Sequence, residues 1–538
     1  MEMSANMDMK PNLDLDVNPS RRRALQALAL GAGAISLPLT LRDAMASEAP
    51  DVSIRLVAAP GRAQVRRGRE TDVQRYTAQV MHGRPDAVRP STGYLGPTLE
   101  LRRGERVRIE FVNRLDEPSI VHWHGMIVPE RDDGHPRFVV APGNSYVYEF
   151  TVRNPAGTYL YHPHPHGRTG RQVYFGLAGL LIVRDDDERK AGFPAGEHEL
   201  ALVIQDRRID ATNSLVFERS MMDSMTGVLG DTVLVNGVAD AEFAVSRRPY
   251  RLRLANASNA RIYKLAWSDG RPMRVMATDG GLLSGGEGIQ TRPFVVLAPF
   301  QRVELIEDFG AREDGASVTL VSQRFRDPET MGGMMGGMMG GGMGSGMGSG
   351  MGGGVPAGAQ GVELNVARFT VSAGPRVHEA PPKLPGAAPL LRRGKTELHT
   401  RVAMDMMQGT LNGRSFQMTA VAPDERLPLN EESIWTFSGD TTGHPMPHPI
   451  HVHGLRFRIL ERTAGAQADL REGLIDSGYH DTVLVFPGER VRLALAPTEP
   501  GLFMYHCHNL EHEDGGMMRN CWFGPMPVDL SMSRHPKA

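Results

Sequence analysis

Cysteine is almost missing from this chain. Among 538 residues only Cys507 and Cys521 occur, which excludes a disulfide framework and leaves at most one bridge. No charge of one sign prevails either. Sixty Lys and Arg stand against 62 Asp and Glu, for a formal net charge of -2, and both signs are interspersed, so no nucleic-acid partner is implied. Beyond residue 47 no apolar run approaches the ~20 residues that a membrane helix needs, so no transmembrane segment is expected in the mature protein. Strong helical periodicity is scarce as well. Short alternating segments take its place, such as Arg106–Val112, set between Gly, Pro, Asn and Asp clusters, and that is an all-β pattern. At this length one hydrophobic core does not suffice, and about three domains are expected.

The first 46 residues read as an export signal. Ser20-Arg21-Arg22-Arg23-Ala24-Leu25 opens an apolar stretch to Leu41, and Ala44-Met45-Ala46 has the spacing of a cleavage site. The arginine pair resembles a twin-arginine signal, the address of proteins exported already folded, and implies the twin-arginine export machinery as a partner.

The remainder carries an internal repeat. Val121-His122-Trp123-His124-Gly125 is echoed by Ile450-His451-Val452-His453-Gly454, and Tyr161-His162-Pro163-His164 by Tyr505-His506-Cys507-His508. The repeat pairs a domain at 47–190 with one at 395–538. Between them lie a spacer unit at 198–372 without a His-x-His and a Pro-rich linker at 373–394. Residues 331–354 contain only Met, Gly and two Ser; they cannot bury a core and are expected to be disordered.

Four His-x-His pairs are thus present: His122/His124, His162/His164, His451/His453 and His506/His508. Residues i and i+2 of a strand share a face, so each pair aims two imidazoles one way. Imidazole alone does not name the metal. Cys507 does, because alternation sends its sulfur to the face opposite His506 and His508, toward a second site. With His448 upstream and His512 and Met517 downstream, the set is two imidazoles, a thiolate and a thioether, the ligands of a blue-copper electron-transfer site. The backbone from His506 to His508 then joins the two sites.

These motifs, together with Asn256-Ala257-Ser258-Asn259-Ala260-Arg261 and Glu511-His512-Glu513-Asp514, resemble those of multicopper oxidases, most closely the bacterial periplasmic copper-efflux oxidases and copper-tolerance laccases. The resemblance spans residues 50 to 525 or so. It implies three cupredoxin-like Greek-key β-barrel domains, a periplasmic location, a monomer, and four copper ions. Carried over by position, His448, Cys507, His512 and Met517 hold the type 1 copper; His122 and His451 hold the type 2 copper. His124, His162, His164, His453, His506 and His508 hold the type 3 pair. Asp133 and Glu513 match acids that supply or relay protons. The implied reaction couples four one-electron oxidations of a donor to reduction of dioxygen to two waters.

The donor is read from sulfur. The low-complexity stretch carries Met331, Met334, Met335, Met338, Met339, Met343, Met347 and Met351, thioethers that suit Cu(I), and Met446 matches a substrate-copper ligand of the group. These point to a cuprous oxidase serving copper tolerance. Phenols or aromatic amines are the alternative donors, as for a laccase, and a non-catalytic or division-related cupredoxin is the third reading. Two features depart from the group: His444 replaces an acid, and the Met-rich stretch falls in the second domain. His166 extends the alternation of His162 and His164 outside the ligand set, and Cys521 reads as a small buried residue.

Overall fold

The computed structural model describes residues 49–91, 93–326, 358–386, 393–405, 408–465 and 469–526. The signal at 1–46, the methionines from Met331 to Met351 and part of the linker lie outside these residues.

The regular structure of the described chain is mostly strand, with a few short helices, and the sheets come in three pairs. The first pair holds a four-stranded sheet built on Val52–Ala63 and Arg106–Asn113 and a five-stranded sheet that ends on Gly157–Pro163 and Val121–His124. The middle pair is built on Glu199–Arg207, Pro249–Asn256 and Arg302–Asp308 in one sheet and Ser317–Ser322 and Leu364–Val371 in the other. In the last pair, Arg393–Asp405 and Glu432–Gly439 lie in one sheet, and His448–Val452 and Gly501–Cys507 in its partner.

One pairing recurs in all three. The opening strand runs parallel to a later one: Val52–Ala58 beside Val107–Asn113, Glu199–Ile204 beside Arg251–Asn256, and Arg393–Val402 beside Glu432–Gly439. Parallel neighbours need a crossover rather than a hairpin, so each sheet pair is closed by chain passing from one sheet to the other. The alternation seen in the sequence is real: Arg106–Asn113 alternates half-buried and buried residues along its length. Each sheet pair encloses a core around one fully buried tryptophan, Trp123, Trp267 or Trp435. Burying a large apolar side chain contributes about 1.5–3 kcal/mol, and such layers fix the strands that carry the site.

Two further apolar clusters lie across the sheet pairs. One joins Leu160 and Tyr174 to Phe300 and Leu510, and the other joins Phe294 and Val296 to Leu484 and Phe486. The strands that bear histidine are buried on both faces, Gly157–Pro163 and Gly501–Cys507 throughout.

Candidate metal centres

Register brings the histidines together in twos. His122 lies opposite His162 across one antiparallel pair, and His451 opposite His506 across the other. The two ribbons meet face to face: His124 stacks on His451 and His122 on His453, each with ring centroids 3.8 Å apart. All eight imidazoles are buried.

Within this group two triangles stand out. His164, His453 and His506 have ring centroids 5.1 Å apart on every side. His124, His162 and His508 form the second, with sides of 5.6, 5.2 and 4.9 Å. His122 and His451 remain, 5.7 Å apart.

Protons can be placed from the partners. The Nδ1–H groups of His122, His451, His162 and His506 donate to the carbonyls of Asp133, Asp481, Pro163 and Cys507 at 2.6–3.0 Å. A carbonyl only accepts, so each ring, when neutral, turns a bare lone pair at Nε2 inward. Nε2 of His122, His162 and His451 has no hydrogen-bond partner, while Nε2 of His453 and His506 face each other at 3.0 Å. Burial holds His122, His124, His164, His453, His506 and His508 well below the usual histidine range, and His162 down at about 3. Neutral imidazoles with orphaned lone pairs converging in a buried space fit metal cations, with outer partners already fixing each ring.

The second centre lies behind the first. Cys507 Sγ is 3.5 Å from His448 Nδ1 and 3.6 Å from His512 Nδ1. His512 donates from Nε2 to the Met225 carbonyl at 2.7 Å, which leaves its Nδ1 lone pair for the cysteine side. Met517 is buried beside them, its carbonyl accepting the Cys507 N–H at 3.0 Å. Burial pushes the Cys507 thiol well up, so it keeps its proton until a cation displaces it.

The short helix Leu510–Asp514 ties the centres to the rest of the chain. Glu511 accepts the Val228 N–H and the Asn259 amide, and Asp514 accepts the N–H groups of Thr169 and Gly170. Glu513 points at the histidines, 3.5 Å from His164 Nε2 and 3.3 Å from His506 Nδ1. Asp133 Oδ2 meets His453 Nδ1 at 2.8 Å. Burial raises both Asp133 and Glu513 well above the carboxylate range.

Three contributors escaped the sequence reading. His124 Nε2 meets Asp481 Oδ1 at 3.1 Å, and Arg302 grips Asp481 with a fork of 2.8 and 2.5 Å. Arg302 spends its other donors on the carbonyls of Thr158, Phe300 and Asp279, so all five N–H groups are used. Burial raises Asp481, but the guanidinium outweighs it and holds the carboxyl well below its ordinary range. Gly125 makes room for this pair: at φ +84°, a Cβ there would lie 2.4 Å from Asp481 and 2.7 Å from Arg302. Phe300, at φ +60°, lays its ring against His508 at 4.0 Å and His162 at 4.6 Å. The middle domain therefore offers no histidine to the centre yet walls one of its triangles. A lone Asp and Arg 179 residues apart leave no spacing signal in a single sequence.

The other candidates sort by position. Met446 is buried and, with Met222, Ile262, Pro447, Pro449 and Asn509, lines a cavity of about 550 Å³ next to His448. His166 is exposed and packs at a tilt against Phe416, with ring centroids 4.8 Å apart. His444 is exposed, and Cys521 is buried and unbridged.

Comparison with known proteins agrees with this geometry. Multicopper oxidase family models match residues 73–188 and 391–526. A multicopper oxidase of Staphylococcus aureus is 30% identical over 79% of this chain and 81% of its own. A cell division protein FtsP of Edwardsiella tarda is 38% identical over 55% of this chain and 61% of its own. The crystal structure of the McoA multicopper oxidase from Aquifex aeolicus superposes with a TM-score of 0.73, at 30% identity, covering 89% of this chain and 97% of that one. The chain belongs to the multicopper oxidase family and is an oxygen-dependent oxidoreductase.

Proposed function

We propose that the protein is an exported cuprous oxidase that couples oxidation of Cu(I) to reduction of dioxygen to water and so serves copper tolerance. The observation that carries the oxidase reading is the tripeptide His506-Cys507-His508, whose sulfur faces one ligand set and whose imidazoles belong to the other. His448, Cys507, His512 and Met517 would hold the type 1 copper. His122 and His451 would hold the type 2 copper, and the two triangles, His124/His162/His508 and His164/His453/His506, the type 3 pair. Copper bound there supplies one-electron redox chemistry. The chain supplies orientation, exclusion of water, and protons from Asp133 and Glu513, which burial shifts toward the protonated form beside His453 and between His164 and His506.

Glu513→Gln keeps the shape and loses the proton. It is expected to slow oxygen uptake by roughly 10²–10⁴-fold with copper content unchanged. Uptake at the parent rate would remove Glu513 from the proton path.

Support for Cu(I) comes from the cavity beside His448. Met222 and Met446 present thioethers to it, and Gly358–Gln360, which follow the Met-rich stretch in sequence, line its wall. Soft, uncharged sulfur favours Cu(I). Phenol oxidation is the second reading, because the same cavity is roomy and mostly apolar, as ligand pockets are. Met222→Leu with Met446→Leu is expected to raise KM for Cu(I) several-fold while leaving phenol oxidation near its parent rate. The check is oxygen uptake with each donor, repeated after deletion of residues 331–354. Equal loss with both donors would assign the methionines to structure rather than to Cu(I).

A further inference from the structure

We propose that Trp123, Tyr148 and Tyr146 form a second redox connection, joining the eight-histidine centre to the protein surface independently of Cys507. It rests on the oxidase reading above and adds a function to it: a reserve electron for dioxygen reduction when the Cys507 side cannot deliver one.

The parallel with Cys507 is geometric. Cys507 ends the strand Gly501–Cys507 between His506 and His508, faces away from them, and is bonded to both through the main chain. Trp123 stands in the same relation to His122 and His124 in the strand Val121–His124. Both intervening residues are among the few side chains that lose a single electron readily. Trp123 is fully buried and its indole N–H has no hydrogen-bond partner, so nothing in the described surroundings commits it to a polar role.

From Trp123 an unbroken series of oxidisable rings leads outward. Tyr148 lies edge-on to it with ring centroids 5.0 Å apart, and Tyr146 follows at 4.9 Å. Such separations are van der Waals contact between aromatic rings. Tyr148 is buried and its oxygen accepts the Val121 N–H at 2.9 Å. Tyr146 is partly exposed, and its hydroxyl donates to the Arg131 carbonyl at 2.6 Å. A competing branch through Tyr161, at 6.0 Å, and Tyr76, 5.3 Å further, ends in the core, where Tyr76 is 1% exposed. Only the Tyr148 branch of the two reaches solvent.

The chemistry balances as follows. Tyr146 gives one electron inward through Tyr148 and Trp123, toward His122 and His124, and releases its phenolic proton to water, leaving a neutral tyrosyl radical. A one-electron donor in solution, Cu(I) or a phenol, reduces that radical, and a proton from water restores the hydroxyl. The net result is one donor electron delivered without Cys507. Dioxygen needs four electrons to become water. A reaction begun with fewer leaves an oxidant beside the imidazoles, and this branch spares them.

The test uses copper-loaded Cys507→Ser protein, in which the histidine-held copper, three ions in the assignment above, can contribute at most three electrons. It is reduced, mixed with dioxygen and freeze-quenched for electron paramagnetic resonance. A tyrosyl signal is expected, falling several-fold in the added Tyr146→Phe variant and unchanged in Tyr76→Phe. In the protein that retains Cys507, Tyr146→Phe should leave initial oxygen uptake at the parent rate. At scarce donor and ample oxygen it should reduce total turnovers before inactivation several-fold, with more oxidised histidine found by mass spectrometry. No radical in the Cys507→Ser protein, or equal radical with and without Tyr146, overturns the proposal. Failure of the unaltered protein to consume oxygen would overturn the oxidase reading instead.

Discussion

Replacing Cys507 with serine is expected to abolish the blue absorption and to leave only the slow donor oxidation that the Tyr146 branch sustains, while copper at the eight histidines is retained. The reason lies in strand geometry. Cys507 is the one residue whose sulfur reaches His448 and His512, at 3.5 and 3.6 Å, while its chain neighbours His506 and His508 enter the other centre. A hydroxyl in its place is a poor ligand for copper and a poor carrier of an electron. The loss should exceed the ~10–100-fold that removal of an outer partner of a metal ligand costs, because the ligand itself goes. Visible absorption, copper content and oxygen uptake on one preparation check it. A variant that stays blue, or that turns over donor at the parent rate, would show that electrons enter elsewhere.

Arg302→Met is expected to be the most destabilising single change near the site that touches no ligand. Arg302 and Asp481 are 0% and 1% exposed, and the arginine's five donors bind groups from all three sheet pairs. Removing one partner of a buried ion pair leaves the other charge uncompensated, a cost of about 3–5 kcal/mol. His124 then loses a fixed Asp481, and the copper held with His162 and His508 should be retained ~10–100-fold less tightly. Arg302→Lys keeps the charge but not the fork, and should recover only part of both. Unfolding midpoints of the copper-free variants and copper content after dialysis separate the two effects. Unchanged values for both would mean that the pair is a bystander.

Much of this was legible in the sequence because it rests on strand periodicity. His-x-His fixes a shared face whatever surrounds it, and the position of Cys507 within one such pair forces two centres back to back. The structure gathers the eight imidazoles in one group and His448, Cys507 and His512 in another. The burial of Asp133 and Glu513 could not be read from letters, since an acid's environment is set by strands distant in sequence. Arg302, Asp481 and Phe300 were invisible for the same reason. They act through contacts between sheet pairs and belong to no motif that spacing reveals. Even the role of Gly125 becomes clear only once the Asp481 carboxylate and the Arg302 guanidinium are seen lying where its Cβ would be.

The alternative of a non-catalytic or division-related cupredoxin is disfavoured by the ligand positions. A structural cupredoxin has no need of eight buried imidazoles converging on one another, nor of a buried thiol aligned with two more. The measurement that bears most directly on the central claim is the ratio of donor oxidised to oxygen consumed by the copper-loaded protein, with peroxide assayed in the same vessel. Four electrons per dioxygen and no peroxide are expected with Cu(I) and with a phenol alike. Full copper content without oxygen uptake, or two electrons per dioxygen with peroxide released, would contradict it.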